Sequence, residues 1–247
     1  MITVLVCRGI GEPMHTGLLS YVTRLLTSRF RVIEVPWEAT YGPFGGGLGG
    51  SSYDAALASG RLMLLEYIRR YPGAILLSYS AGAALAGNVA AEIGRGVHPG
   101  LSVRAVGLLA DPLRPRSVGL PGHGIAGERP IQASFPVWQV ADPRDPIPCC
   151  TSEALYTLAD QSAAFSLVDP AAWGWDLIDR LKNDRWQEVK RLQFWQIPEI
   201  LARYRIAIEH VQRYLGPDHV SYPVRNYPGS TRTYTEWLAD RINEIRE

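Results

Sequence analysis

Ser80 stands where a strand would turn sharply into a helix. Before it runs the apolar segment Ala74 to Leu77, and after it the small-residue stretch Gly82-Ala83-Ala84-Leu85-Ala86-Gly87. The local sequence Ser78-Tyr79-Ser80-Ala81-Gly82 departs from the Gly-x-Ser-x-Gly elbow at its first position, where serine, the next smallest polar residue, replaces glycine. Small neighbours are needed there because the apex backbone is strained and strand and helix pack closely. A serine on such an apex exposes its hydroxyl above the C-terminal edge of a parallel sheet. The N–H of the next residue, Ala81, then points to where an oxyanion would form.

A serine hydroxyl is a weak nucleophile at neutral pH, so a base must take its proton and an acid must orient the base. In α/β-hydrolase-like chains these follow in the order Ser, Asp, His, each on a loop after a strand. The acid candidates lie in Val140-Ala141-Asp142-Pro143-Arg144-Asp145-Pro146-Ile147-Pro148, whose prolines exclude helix. Asp145 is preferred because it sits deeper in the loop; Asp142 is the runner-up and Asp111, in an Asp-Pro turn after an earlier strand, the third. Among the five histidines, His15 precedes the elbow, His98 and His123 lie in Gly/Pro-rich loops, and His210 falls on a helix. His219 follows the acid in a loop between two helices, as a base should. The loop Cys7-Arg8-Gly9-Ile10-Gly11-Glu12 follows the first strand, so Ile10 N–H and Ala81 N–H are the expected oxyanion-hole donors.

The elements that must position these groups are legible as apolar runs alternating with helical patterns, the signature of a parallel sheet wrapped by helices. Strands are expected near 2–7, 31–36, 74–78, 103–109 and 135–141, and helices over about 14–28, 52–71 and 80–95. The second helix presents Leu57, Leu62, Leu64, Leu65 and Ile68 as its apolar set. A capping box, Thr233-Tyr234-Thr235-Glu236, opens a terminal helix whose stripe is Tyr234, Trp237, Leu238, Ile242 and Ile245. The expected organisation is an α/β core over 1–150, a helical insertion over 151–215, and the His loop with the closing helix over 216–247. Trp173, Trp175, Trp186 and Trp195 fall in the insertion, which is a candidate wall for a lipid-like substrate. The glycine-rich stretch 42–50 fits no phosphate-binding loop and is read as a surface loop.

Composition narrows the function classes. The chain has 247 residues, enough for one sizeable domain, and a formal net charge of +1 with no long basic run, which argues against a nucleic-acid partner. No apolar stretch reaches transmembrane length, and the N-terminus reads directly as a strand without a basic leader or cleavage site. Cys7, Cys149 and Cys150 suggest neither a disulfide framework nor, with the scattered histidines, a zinc site, so no metal and no cofactor are expected.

Arg8-Gly9-x-Gly11-Glu12, Asp145-x-Ile147 and His219-x-x-Tyr222 resemble the oxyanion, acid and base loops of the cutinase-like serine esterases. Gly107-Leu108-Leu109-Ala110-Asp111-Pro112-Leu113-Arg114, Gly124-Ile125-Ala126-Gly127 and Thr233-Tyr234-Thr235-Glu236-Trp237-Leu238-Ala239-Asp240 resemble the cutinase-like lysin B enzymes of phages that infect mycobacteria. A long helical insertion between acid and base is also characteristic of lysin B. The resemblance covers nearly the whole chain. It implies a cutinase-like α/β-hydrolase fold and hydrolysis of the ester joining mycolic acids to arabinogalactan, by a chain made in the host cytoplasm and acting at the host cell envelope. Ser78 and Ile10 depart from the cutinase pattern, the latter standing where Ser or Thr is frequent. A cutinase-like lipase of other acyl preference and a catalytically silent envelope-lipid binder are the alternatives.

Overall fold

A computed structural model describes residues 1–40, 53–151 and 217–246. The glycine-rich stretch, the expected insertion with its tryptophans, and His210 lie outside the described residues. Five parallel strands, β1 (Ile2–Cys7), β2 (Phe30–Glu34), β3 (Ala74–Tyr79), β4 (Val103–Leu109) and β5 (Val137–Val140), pair in the order β2-β1-β3-β4-β5. Their helical partners are α1 (Ser20–Thr23), α2 (Tyr53–Arg70), α3 (Ala81–Gly94) and α4 (Tyr234–Glu244). This is a parallel α/β sheet flanked by helices, with β3 leading into α3 at Ser80.

Alternation along each strand sorts side chains to two covered faces. Leu5, Cys7, Leu76, Val106 and Leu108 face the layer containing α2 and α3. Val4, Val6, Ile75, Leu77, Ala105 and Leu109 face the layer of α1 and α4. Burial on both sides explains why the central strands are nearly continuous apolar runs. It also leaves their C-terminal edge as the place where polar loops converge.

Two expectations differ from the structure. The helix expected over 14–28 contracts to four residues, Ser20–Thr23. The chain on either side makes tighter i to i−3 bonds, such as Ser20 N to Gly17 O at 2.9 Å and Leu25 N to Val22 O at 3.0 Å. Glu12 accounts for the late start, since its carboxylate accepts the Leu18 N–H at 2.7 Å and holds the segment in a turn. Leu62, expected on the apolar face of α2, is 65% exposed, whereas Gly60, Leu64, Leu65 and Ile68 are buried. Small residues set that contact face: Gly60 lies against Leu85 and Trp37. In α4 the capping box forms as expected, with Glu236 N donating to Thr233 Oγ1 and Thr233 N to Glu236 Oε2. Tyr234, Leu238 and Ile242 are fully buried, while Trp237 is half-buried and stacks on Tyr227 with ring centroids 4.2 Å apart.

Backbone meets backbone closely at Gly82. A Cβ there would lie 2.1 Å from the Cys7 carbonyl oxygen and 2.5 Å from that of Arg8, both rigid backbone. This glycine therefore lets the first turn of α3 rest on the end of β1. Gly82→Ala is expected to destabilise the fold by about 1–3 kcal/mol, the usual cost of overpacking; urea denaturation with an unchanged m-value checks it.

Candidate active site

Ser80 is the N-cap of α3 and holds φ 55° and ψ −121°, a region that a non-glycine residue enters only under strain. Three backbone bonds hold it there. Ser80 N donates to Leu109 O at 2.9 Å, and Ser80 O accepts from Ala83 N at 2.8 Å and Ala84 N at 3.2 Å. Two residues earlier, Ser78 is fully buried and donates its Oγ–H to Gly107 O at 3.1 Å. A serine thus fits the elbow's first position because β4 offers it an acceptor.

The structure brings Ser80, His219 and Asp145 together. Ser80 Oγ is 3.1 Å from His219 Nε2, and His219 Nδ1 is 2.8 Å from Asp145 Oδ2. The carboxylate fixes the tautomer: Nδ1 carries the proton that Asp145 accepts, leaving Nε2 to accept from the serine. All three side chains are buried or nearly so. A hydroxyl bonded to an imidazole that a buried carboxylate orients is an arrangement able to activate serine for attack on a carbonyl carbon.

The other candidates have different partners. Asp142 pairs with Arg225 Nη1 at 2.7 Å and accepts from Arg144 N at 2.9 Å. Asp111 is buried against Arg129, with Gln139 Nε2 at 3.1 Å and Leu113 N at 3.0 Å. His15 is exposed beside Glu34, His98 binds Glu92 at 2.6 Å, and His123 Nδ1 is 3.0 Å from Gly124 O. The thiols of Cys7 and Cys149 are pushed up to about 12, chiefly by burial, so both are neutral.

The loop after β1 is fixed from several sides. Arg8 Nε donates to Glu12 O at 3.0 Å and Nη2 to Trp37 O at 3.0 Å. Gly9 N–H is taken by Glu12 Oε2 at 2.8 Å and Gly11 N–H by Ala39 O at 3.0 Å, with Ile10 between them. Ala81 is the first residue of α3, where N–H groups have no intrahelical acceptor. The close approach at Gly82 sets the start of this loop against that same turn.

Several residues of the site carried no assigned role in the sequence. Arg225 ties the acid loop to the His loop, since it binds both Asp142 and Asp218. Buried Arg114 donates to Pro148 O at 2.6 Å in the acid loop, and to Pro115 O, Pro121 O and Gly122 O. Arg129 lies on α3 at Gly87, where a Cβ would be 2.0 Å from its Nη1, and reaches Asp111 at the end of β4. Tyr79 stacks on the His219 ring at 5.1 Å and donates its hydroxyl to His219 O at 2.9 Å. Arg114 and Tyr222 stand in motifs of the resemblance, but an arginine or tyrosine in a loop has no local signature of its acceptor.

Arg225→Met would leave Asp142, 2% exposed as a side chain, without its cation. A loss of about 2–3 kcal/mol is expected, below that of a fully buried pair because a fifth of the arginine side chain meets solvent (21% exposed). Urea melts of the single variant and of a double variant with Asp142→Asn check it, the second change recovering part of the loss.

No protein-family profile and no curated protein sequence matches this chain. Among solved structures, it is similar to the catalytic core domain of acetyl xylan esterase from Trichoderma reesei, at 17% identity and a TM-score of 0.42, over 64% of this chain and 91% of that one. It is also similar to a cutinase-like protein from Cryptococcus sp., at 15% identity and a TM-score of 0.42, over 65% of this chain and 87% of that one.

Proposed function

We propose that this chain is a serine carboxylic ester hydrolase. The carrying observation is the hydrogen-bonded chain from Ser80 Oγ through His219 to Asp145, built on a strained elbow. Ser80 attacks the ester carbonyl while His219 Nε2 takes its proton, and Asp145 stabilises the imidazolium that forms. Ala81 N–H and Ile10 N–H bind the oxyanion. The imidazolium then protonates the leaving alcohol. Water, deprotonated by the same nitrogen, releases the acyl group from Ser80.

For the substrate we propose a lipid ester of the cell envelope, and within that class the mycolyl ester of arabinogalactan during phage-induced lysis. The lysin B-like motifs over residues 107–114, 124–127 and 233–240 support this finer reading. Such a chain is made in the host cytoplasm and acts at the envelope. Among the described residues no helix is long and apolar enough to cross a membrane.

Hydrolysis of p-nitrophenyl esters from short to long acyl chains tests the reaction, and release of mycolic acid from mycolyl-arabinogalactan tests the substrate. Ser80→Ala should lower kcat by at least about 10⁴-fold. Wild-type protein inactive on every ester would overturn the proposal. Asp145→Asn should lower kcat by about 10⁴-fold, as expected when the imidazole tautomer is no longer held. An equal kinetic loss in Asp142→Asn, with Asp145→Asn active, would reassign the acid.

A further inference from the structure

Tyr222 is fully buried beneath the acid loop. Its hydroxyl oxygen is 2.6 Å from Asp145 Oδ2, the same oxygen that accepts from His219 Nδ1. On its other side that oxygen accepts the Asp142 N–H at 3.3 Å. A backbone N–H can only donate, so the phenolic proton is directed at Asp145. The carboxylate thus accepts from three donors, with Ile147 N at 3.0 Å on Oδ1. Burial, and then the Asp145 charge, pushes the Tyr222 hydroxyl well above its ordinary range, so it keeps its proton wherever the site would work.

We infer that Tyr222 is a positioning residue that acts through Asp145: its O–H draws charge from Oδ2, holds the carboxylate's rotation, and so limits the basicity of His219. The inference rests on the reading of Ser80, His219 and Asp145 as a catalytic triad. Removing the donor concentrates negative charge on the oxygen facing Nδ1, which favours the imidazolium and raises the pKa of His219. A histidine that stays protonated to higher pH cannot accept the Ser80 proton, so the acidic limb of kcat/KM moves upward.

Among the described residues, the other charges around the pair do not change when this hydroxyl is removed. On the acid loop, Asp142 is matched by Arg225, and Cys149 stays a neutral thiol. From the segment after β4, Arg114 is held by the Pro148 carbonyl. On the His loop, Asp218 shares Arg225, and Ser221 Oγ donates to Asp218 O at 2.8 Å. On the elbow, the Tyr79 hydroxyl is taken by His219 O and Ser80 is the nucleophile itself. Tyr234 touches Tyr222 edge-on at 5.3 Å and is itself shifted upward by burial, so it too is neutral.

The experiment is a pH titration of the His219 imidazole by ¹H–¹⁵N NMR in the full chain and in Tyr222→Phe, with His219→Gln to assign the resonance. The variant should titrate about half a unit higher or more. The acidic limb of kcat/KM on a short p-nitrophenyl ester should move with it, KM staying within about twofold. An unchanged or lower His219 pKa would overturn the inference and leave Tyr222 a packing residue. Wild-type protein gives a reading that needs no folded variant. The Tyr222 hydroxyl proton should be a slowly exchanging low-field resonance, and free exchange with water would also overturn the inference. A shifted imidazole in a chain without esterase activity would support the role of Tyr222 while overturning the hydrolase proposal alone.

Discussion

The left-handed backbone at Ser80 is the constraint around which the molecule is arranged. A non-glycine residue in that region costs about 1–3 kcal/mol, and it persists only where surrounding structure over-determines it. Here β4 supplies the acceptor for Ser80 N, α3 supplies donors to Ser80 O, and β1 packs so closely on the first turn that only glycine fits at 82. Two-sided burial of β1, β3 and β4 gives these contacts a rigid base. The strain therefore has a structural consequence. It lifts the hydroxyl off the sheet's edge toward His219.

What reaches the site from elsewhere is held by arginines rather than by regular structure. Arg8, Arg114, Arg129 and Arg225 each bind several acceptors, and those acceptors belong to different segments of the chain. A planar guanidinium with five donors suits that task better than an ammonium, which concentrates its charge at one point. Lysines occur in this chain only at positions 182 and 190, so the loops around the site draw on arginine throughout. Arg114 satisfies four backbone carbonyls from within the core, which accounts for an irregular segment being buried at all.

An aromatic sequence links the imidazole to the closing helix. His219 stacks on Tyr79, Tyr79 meets Tyr222 edge-on at 6.4 Å, and Tyr222 meets Tyr234 in α4. The terminal helix thus reaches the site through packed rings. Its capping box fixes where Tyr234 begins the helix, and so where that ring meets Tyr222. Helix start, ring contact and carboxylate orientation are successive steps of one arrangement.

Much of this arrangement is legible in the chain itself. Apolar runs place all five strands to within a few residues, because a strand buried on both faces has little choice of side chain. The small residues around Ser80 marked the elbow for a steric reason that acts between chain neighbours. The order of Asp145 and His219 after it narrowed the partners, and a strong local signal, the Thr233 capping box, placed α4. Other features depended on contacts distant in sequence. The short α1 follows from a carboxylate at Glu12, the contact face of α2 from Gly60 lying against Trp37 and Leu85, and the choice of Asp145 over Asp142 from the reach of Arg225 across 83 residues. The layered sheet and the serine's turn are written in the chain, since steric and hydrophobic demands there are local. Tertiary structure decided which carboxylate faces the histidine and which tyrosine binds it, because hydrogen-bond partners are chosen by position in space.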